Sequence, residues 1–302
     1  MLNPQIEIFF HQHHIPYQSQ VPLRDYCTYK IGGPAEFMVF PENPDQIYSL
    51  ILLIRENQIP FFLLGGGSNV LFDDRGFRGI VISTYRLNRI SSTRDSILVQ
   101  SGCRMDQLTH YCSRHGLSGL EFAGGLPGSL GGAVTMNARC YGGEFSQIVN
   151  HITALDLSGQ WLDYTHPECG FDYKDSVFQH NQAIILECRL SLTPNRPDLV
   201  KAKTEANLHD REQKNQFQYP SAGCIFKNNY TLGIPSGKLI EELGLKGYRR
   251  NDIEIYTCHA NFFINHGTGK SEDVRFLIDM VRTRIEQHYH TRLEQEVIVV
   301  PY

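Results

Sequence analysis

Residues 119–144 read GLEFAGGLPGSLGGAVTMNARCYGGE, and Gly124, Gly125, Gly128, Gly131 and Gly132 fall within nine consecutive positions. So much glycine marks backbone that must lie close against something flat or charged, because no Cβ holds the partner away. The spacing is not G-x-G-x-x-G, so the dinucleotide fingerprint of a parallel βαβ unit is absent. Pro127 stiffens the loop, and AVTMNA (133–138) can begin a helix whose N-terminal end faces an anion. Upstream, the apolar strand PFFLL (60–64) is stopped by Gly65, Gly66 and Gly67, followed by Ser68 and Asn69. Three adjacent glycines let N–H groups converge on one point, and Ser68 and Asn69 add side-chain donors, a nest suited to phosphate or pyrophosphate. No Gly-Lys-Ser/Thr follows, so this is not a Walker loop. A tight surface turn is the competing reading of the stretch 65–69 alone.

Around these loops the pattern mixes helices and strands. PDQIYSLILLIRENQ (44–58) has Ile47, Leu50, Ile51 and Ile54 at helical spacing, and RMDQLTHYCSRHG (104–116) reads as a helix ended by Gly116. GIVIS (79–83) and SILVQSG (96–102) read as strands. HITALDLSGQWLDYT (151–165) reads as a hairpin turning at Ser158-Gly159, and AIILECRLSL (183–192) as a further strand. Pro194, Asn195, Arg196 and Pro197 form a turn cluster that marks a domain boundary. Beyond it come a polar helix over 198–216, a helix in GKLIEELGL (237–245), one or two strands in 253–265 and a strand in EQEVIVV (294–300). SEDVRFLIDMVRTRIEQHYH (271–290) is the clearest helix, with an apolar stripe of Val274, Leu277, Ile278, Val281 and Ile285 and Ser271 as its expected cap.

A net charge of −4 from 28 basic and 32 acidic residues argues against a general grip on nucleic acid or an anionic membrane. No run approaches the roughly 20 apolar residues of a membrane span. MLNPQIEIFFHQHH has no export-signal pattern, and the eight cysteines show no CxxC spacing, so a cytoplasmic protein with reduced thiols is expected. His11, His13 and His14 lack a carboxylate or thiol at ligand spacing, and Cys258 and His259 point to opposite faces of a strand, so no metal site is expected.

Three further stretches carry reactive or recognition groups. YPSAGCIFKN (219–228) sets one thiol, Cys224, among small residues beside Lys227 and Asn228. CHANFFIN (258–265) holds Asn261 and Asn265 in a strand-like run, either for recognition or as half-exposed polarity. Glu294-Gln295-Glu296 precedes the last apolar strand, where solvated acid is the plain reading.

Seven runs together resemble the UDP-N-acetylenolpyruvoylglucosamine reductase family: TYKIGGPAEFMVFP (28–41), LGGGSNVLF (64–72), the glycine stretch 119–144, YPSAGCIFKN (219–228), GKLIEELGLKG (237–247), HANFFINHGTGKSEDV (259–274) and LEQEV (293–297). They keep the family's order from about residue 28 to the end, and the length resembles the shorter subclass. The likeness implies an α+β fold: an N-terminal arm (1–20), an FAD-binding domain of the vanillyl-alcohol-oxidase type (21–195) and an α+β substrate-binding domain (196–302) whose last strand returns to the active site. It implies FAD as cofactor and NADPH as hydride donor. It also implies small-molecule partners only, a monomer, and a role in peptidoglycan precursor synthesis, hence in cell shape and division.

The same likeness implies roles for residues. Gly65, Gly66, Gly67, Ser68, Asn69, Gly125, Gly128, Ser129, Gly131 and Gly132 would cradle FAD. Reduced flavin would pass hydride to the terminal enolpyruvyl carbon while Cys224 gives a proton to its neighbour. An ordinary thiol titrates near about 8.5 and so holds its proton at neutral pH. Glu296 would be the second catalytic residue. The family's usual Tyr-Arg-x-Ser is here Tyr173-Lys174-Asp175-Ser176, so Lys174 keeps the charge at the substrate carboxylate but loses the planar grip; Lys227 is the alternative cation. Tyr29, Lys227, Asn228, Lys246 and Asn261 are the expected uridine and diphosphate contacts.

Overall fold

The computed structural model describes residues 5–92 and 96–302; the first four residues of the expected N-terminal arm lie outside them. The chain divides into two compact units, each assembled from separated stretches. The first takes residues up to Ser19, Phe37–Gly66 and Gly79–Gln213; the second takes Gln20–Glu36, Gly67–Arg78 and Lys214–Tyr302. This differs from the expected boundary at 195/196.

The helices are α1 (Gln5–Gln12), α2 (Pro44–Asn57), α3 (Met105–His115), α4 (Leu130–Thr135), α5 (Pro197–Gln213), α6 (Ser236–Glu242) and α7 (Ser271–Tyr289). In the first unit α2 forms as its pattern predicts, capped by Asn43, whose side chain accepts from Gln46 N at 3.0 Å. Its apolar stripe is wide enough to serve two cores. Leu50 and Ile54 join Ile80 and Ile82, while Ile47 and Ile51 join Leu155, Ile184 and Leu186. Ile6, Phe10 and Ile15 are buried in the first of these cores, which ties α1 to this unit.

The larger sheet of this unit is antiparallel, in the order Trp161–Thr165, Val149–Leu155, Ile184–Leu190, Ile97–Gln100, Ile90–Ser92. The expected hairpin turns at Gly159, where φ is +88°. One face is covered by α3 and α4, with Leu108, Cys112, Leu130 and Val134 packed on Ile152 and Cys188. The Pro194–Pro197 cluster does not release the chain from this unit. Thr193–Pro194 pairs with Leu117–Ser118, and in α5 Asn207 Nδ2 donates to Glu121 O at 2.7 Å.

In the second unit Arg249–Arg250, Ile253–Ile255 and Phe263–Asn265 form an antiparallel sheet, and Ile298–Val300 runs parallel to Val70–Phe72. Ser271 lies inside the first turn of α7 rather than capping it. Its N and Oγ both donate to Asp74 Oδ2, at 2.8 and 2.7 Å, so the cap carboxylate comes from a distant loop.

Candidate active site

The two glycine stretches meet within the first unit. A Cβ on Gly66 would lie 2.3 Å from Gly128 Cα, and one on Gly65 would lie 2.6 Å from Ser129 Oγ. The loops touch backbone to backbone, a separation only glycine permits. Among the described residues Ser129 Oγ is buried without a hydrogen-bond partner, and so is Ser101 Oγ, whose Cβ lies 2.8 Å from the Cβ a side chain on Gly131 would carry. Buried hydroxyls in that state are costly unless a ligand or water meets them. A Cβ on Gly132 would lie 3.8 Å from Ser129 Oγ, an ordinary van der Waals contact. These features fit a cofactor bound against the loops. Gly125 has a packing reason of its own: its φ is +72°, and a Cβ there would meet Arg211 Cδ at 2.9 Å on α5. Ser101 escaped the sequence reading, since a serine closing a strand carries no signal until its burial is known.

Gly67 and Asn69 belong to the second unit. Gly67 has φ +65°, and a Cβ there would stand 2.1 Å from Tyr26 O. Asn69 Nδ2 donates to Glu296 O at 3.0 Å, and its own carbonyl accepts from Ile298 N at 3.0 Å. The expected anion donor is therefore a strut that holds the segment bearing Glu296.

That segment is one side of a compact patch. Residues 224–227 run between two others: Cys224 bridges Phe262, and Phe226 bridges Gln295. Ile225 O accepts from Glu296 N at 2.8 Å, and Lys227 N donates to Glu294 O at 2.8 Å. Asn261, 2% exposed, accepts from Phe226 N at 3.0 Å and donates to Phe226 O at 2.8 Å. Its amide is committed to backbone on both sides, so it fixes the strand carrying Cys224 rather than presenting a group for recognition. Asn265 does the same nearby, donating to Tyr29 O and accepting from Gly267 N and Gly269 N. Gly223, at φ +73°, makes the turn before Cys224.

The other expected substrate contacts fall differently. Lys227 Nζ is 2.7 Å from Glu294 Oε1. Asn228 Oδ1 accepts from Ser236 N at 3.0 Å at the start of α6. Lys246 Nζ sits 2.9 Å from Glu241 Oε1 and holds that carboxyl below its usual range. Tyr29 is fully buried, its hydroxyl without a partner among the described residues, and burial drives its titration well above that of an ordinary phenol. His259 has a buried Nδ1 that is likewise unpartnered among the described residues, and burial pushes the imidazole down, with Lys246 and Lys214 adding to the shift. In the first unit, Lys174 stands at φ +55° in a turn closed by Asp172 and Asp175. None of the eight cysteines forms a disulfide. Among the described residues no helix is long and apolar enough to cross a membrane.

Residues 35–164 match a family of FAD binding domains, and residues 214–300 match the C-terminal domain of UDP-N-acetylenolpyruvoylglucosamine reductase. The glycine cradle and the first match define an FAD-binding oxidoreductase. A UDP-N-acetylenolpyruvoylglucosamine reductase from Clostridium novyi is 34% identical over 299 residues, covering 99% of this chain and 96% of that protein. One from Treponema denticola is 38% identical, covering 92% and 91%. The crystal structure of UDP-N-acetylenolpyruvylglucosamine reductase from Thermus caldophilus superposes with a TM-score of 0.79 at 32% identity, covering 95% of this chain and 99% of that one. The chain belongs to the UDP-N-acetylenolpyruvoylglucosamine reductase family, as the seven runs led us to expect.

Proposed function

We propose that the chain uses NADPH to reduce the enolpyruvyl group of UDP-N-acetylglucosamine enolpyruvate, giving UDP-N-acetylmuramate for peptidoglycan. When bound, FAD supplies hydride, taken from NADPH, to the terminal enolpyruvyl carbon. The chain's residues bind and orient the reactants and move the proton. Gly65, Gly66, Gly128, Gly131 and Gly132 let backbone approach the cofactor, and Ser129 Oγ donates to it; Gly67, Ser68, Asn69 and Gly125 shape the loops. Cys224 Sγ holds the proton delivered to the carbon beside the carboxylate, which would otherwise build up negative charge. Glu296 completes the acid side, and Lys174 holds the carboxylate. Lys227, Asn228 and Lys246 take the nucleotide diphosphate, while Tyr29 and Asn261 act by holding the segments around them. The protein works as a cytoplasmic monomer in the wall synthesis that cell shape and division require.

The observation that carries this reading is the patch in which residues 224–227, 260–262 and 294–297 pair. It holds a thiol and a carboxylate from distant stretches on adjoining strands, the groups a protonation at carbon needs. Anaerobic absorbance tests it: NADPH bleaches the yellow protein and the enolpyruvyl sugar nucleotide restores the colour. A protein that stays colourless with FAD supplied, or bleached after substrate is added, overturns the reading.

A further inference from the structure

In the role proposed above, Lys174 meets a carboxylate as a point charge on a flexible stem, which sets neither the plane nor the register of the anion. A guanidinium stands over the ring of the residue before it. Asp172 and Asp175 exchange backbone hydrogen bonds at 3.1 and 3.2 Å, leaving Tyr173 and Lys174 at the tip of a tight turn. Arg139–Cys140 pairs with Gly143–Glu144 across a second two-residue turn, Tyr141 at φ +50° and Gly142 at φ +77°. Asn137, 1% exposed, ties the two turns together: its Nδ2 donates to Asp172 O and its Oδ1 accepts from Ser146 N, both at 2.9 Å.

On this frame the Arg139 Cζ lies 5.3 Å from the centroid of the Tyr173 ring, the residue next to Lys174. The ring face attracts the cation and favours this placement of the guanidinium. Cys140, next to Arg139, lies within reach of the charges of Arg211 and Lys174, which oppose the upward push of burial on its thiol. The one carboxylate paired with Arg139 among the described residues is Glu144, at 3.7 Å from Nε, and Glu144 Oε1 already accepts from Ser146 Oγ. The guanidinium thus stands over the residue that precedes Lys174 and is only loosely neutralised.

We propose that Arg139 is a second carboxylate-binding residue, supplying the planar two-toothed grip on the enolpyruvyl carboxylate while Lys174 supplies the adjacent charge. This rests on the reductase reading. The test uses oxidised holoenzyme without NADPH and reads binding from the perturbation of flavin absorbance. The ligands are UDP-N-acetylglucosamine enolpyruvate and UDP-N-acetylglucosamine, which lacks the carboxylate. Arg139→Gln is expected to weaken the first roughly tenfold or more, the scale of a charged hydrogen bond, and to leave the second unchanged. Adding Lys174→Arg to Arg139→Gln is expected to restore most of the loss, because a guanidinium then returns at the neighbouring position. Unchanged affinity in Arg139→Gln overturns the proposal, and so does equal weakening of both ligands without recovery in the double variant, the mark of a structural role. Wild-type holoenzyme that binds neither ligand, or both alike, overturns the reductase reading and this inference with it.

Discussion

Asn261 shows how a polar residue in a buried strand earns its place. With both ends of its amide on Phe226 backbone, it replaces a ladder rung and sets the strand that carries Cys224. Asn261→Ala leaves a buried N–H and C=O unpaired, each costing about 1–3 kcal/mol. It should lower the urea midpoint and slow flavin reoxidation by substrate, with NADPH bleaching unaffected. Cys224→Ala should separate the half-reactions more sharply. Stopped-flow absorbance should show normal bleaching and reoxidation slowed about 10²–10⁴-fold, the usual worth of a positioned acid, with Cys224→Ser in between. Equal slowing of both steps would assign the thiol a structural role. Gly66→Ala pushes a methyl to 2.3 Å from Gly128 Cα, so the loops must part. That variant should fold yet emerge from gel filtration with little flavin.

Among the elements, the local pattern found most helices and missed what fastens them. The spacing in 271–290 predicts α7 to within a residue. Its cap was not legible, because Asp74 lies 197 residues before Ser271. Asp74→Ala removes an acceptor for two donors at that helix start and should destabilise the protein by about 0.5–2 kcal/mol, read as a lower denaturant midpoint. The polar helix over 198–216 was equally plain, but a proline-flanked turn gives no sign of which core the helix after it will join. The contacts of α5 with the turn at 121–123 decided that.

At the scale of the whole molecule, acid stability should depend in measurable part on a buried carboxylate, Asp73. Asp73 is 3% exposed and receives hydrogen bonds from Arg75 and Arg275 at 2.9–3.1 Å, which hold it well below the usual carboxylate range. A carboxyl depressed in the folded state gives stability that is complete above its unfolded value, about 3.9, and lost as pH falls below it. Wild type should therefore lose stability steeply below about pH 4, and Asp73→Asn should be less stable at neutral pH with a shallower acid limb. Urea midpoints across pH 2–7 decide this; parallel curves for the two proteins would remove Asp73 from the account.

The sequence by itself determined the element types, the two glycine loops and the family, because periodicity, turn chemistry and short motifs are local and survive in one dimension. Only the tertiary structure decided that Asn69 and Asn261 are struts, that Tyr29 is buried, that α5 stays with the first unit, and that Arg139 lies against Tyr173. Each of these depends on which groups meet across tens to hundreds of residues. A side chain's role follows from the partner that takes its hydrogen bonds, and the linear order of residues does not specify that partner.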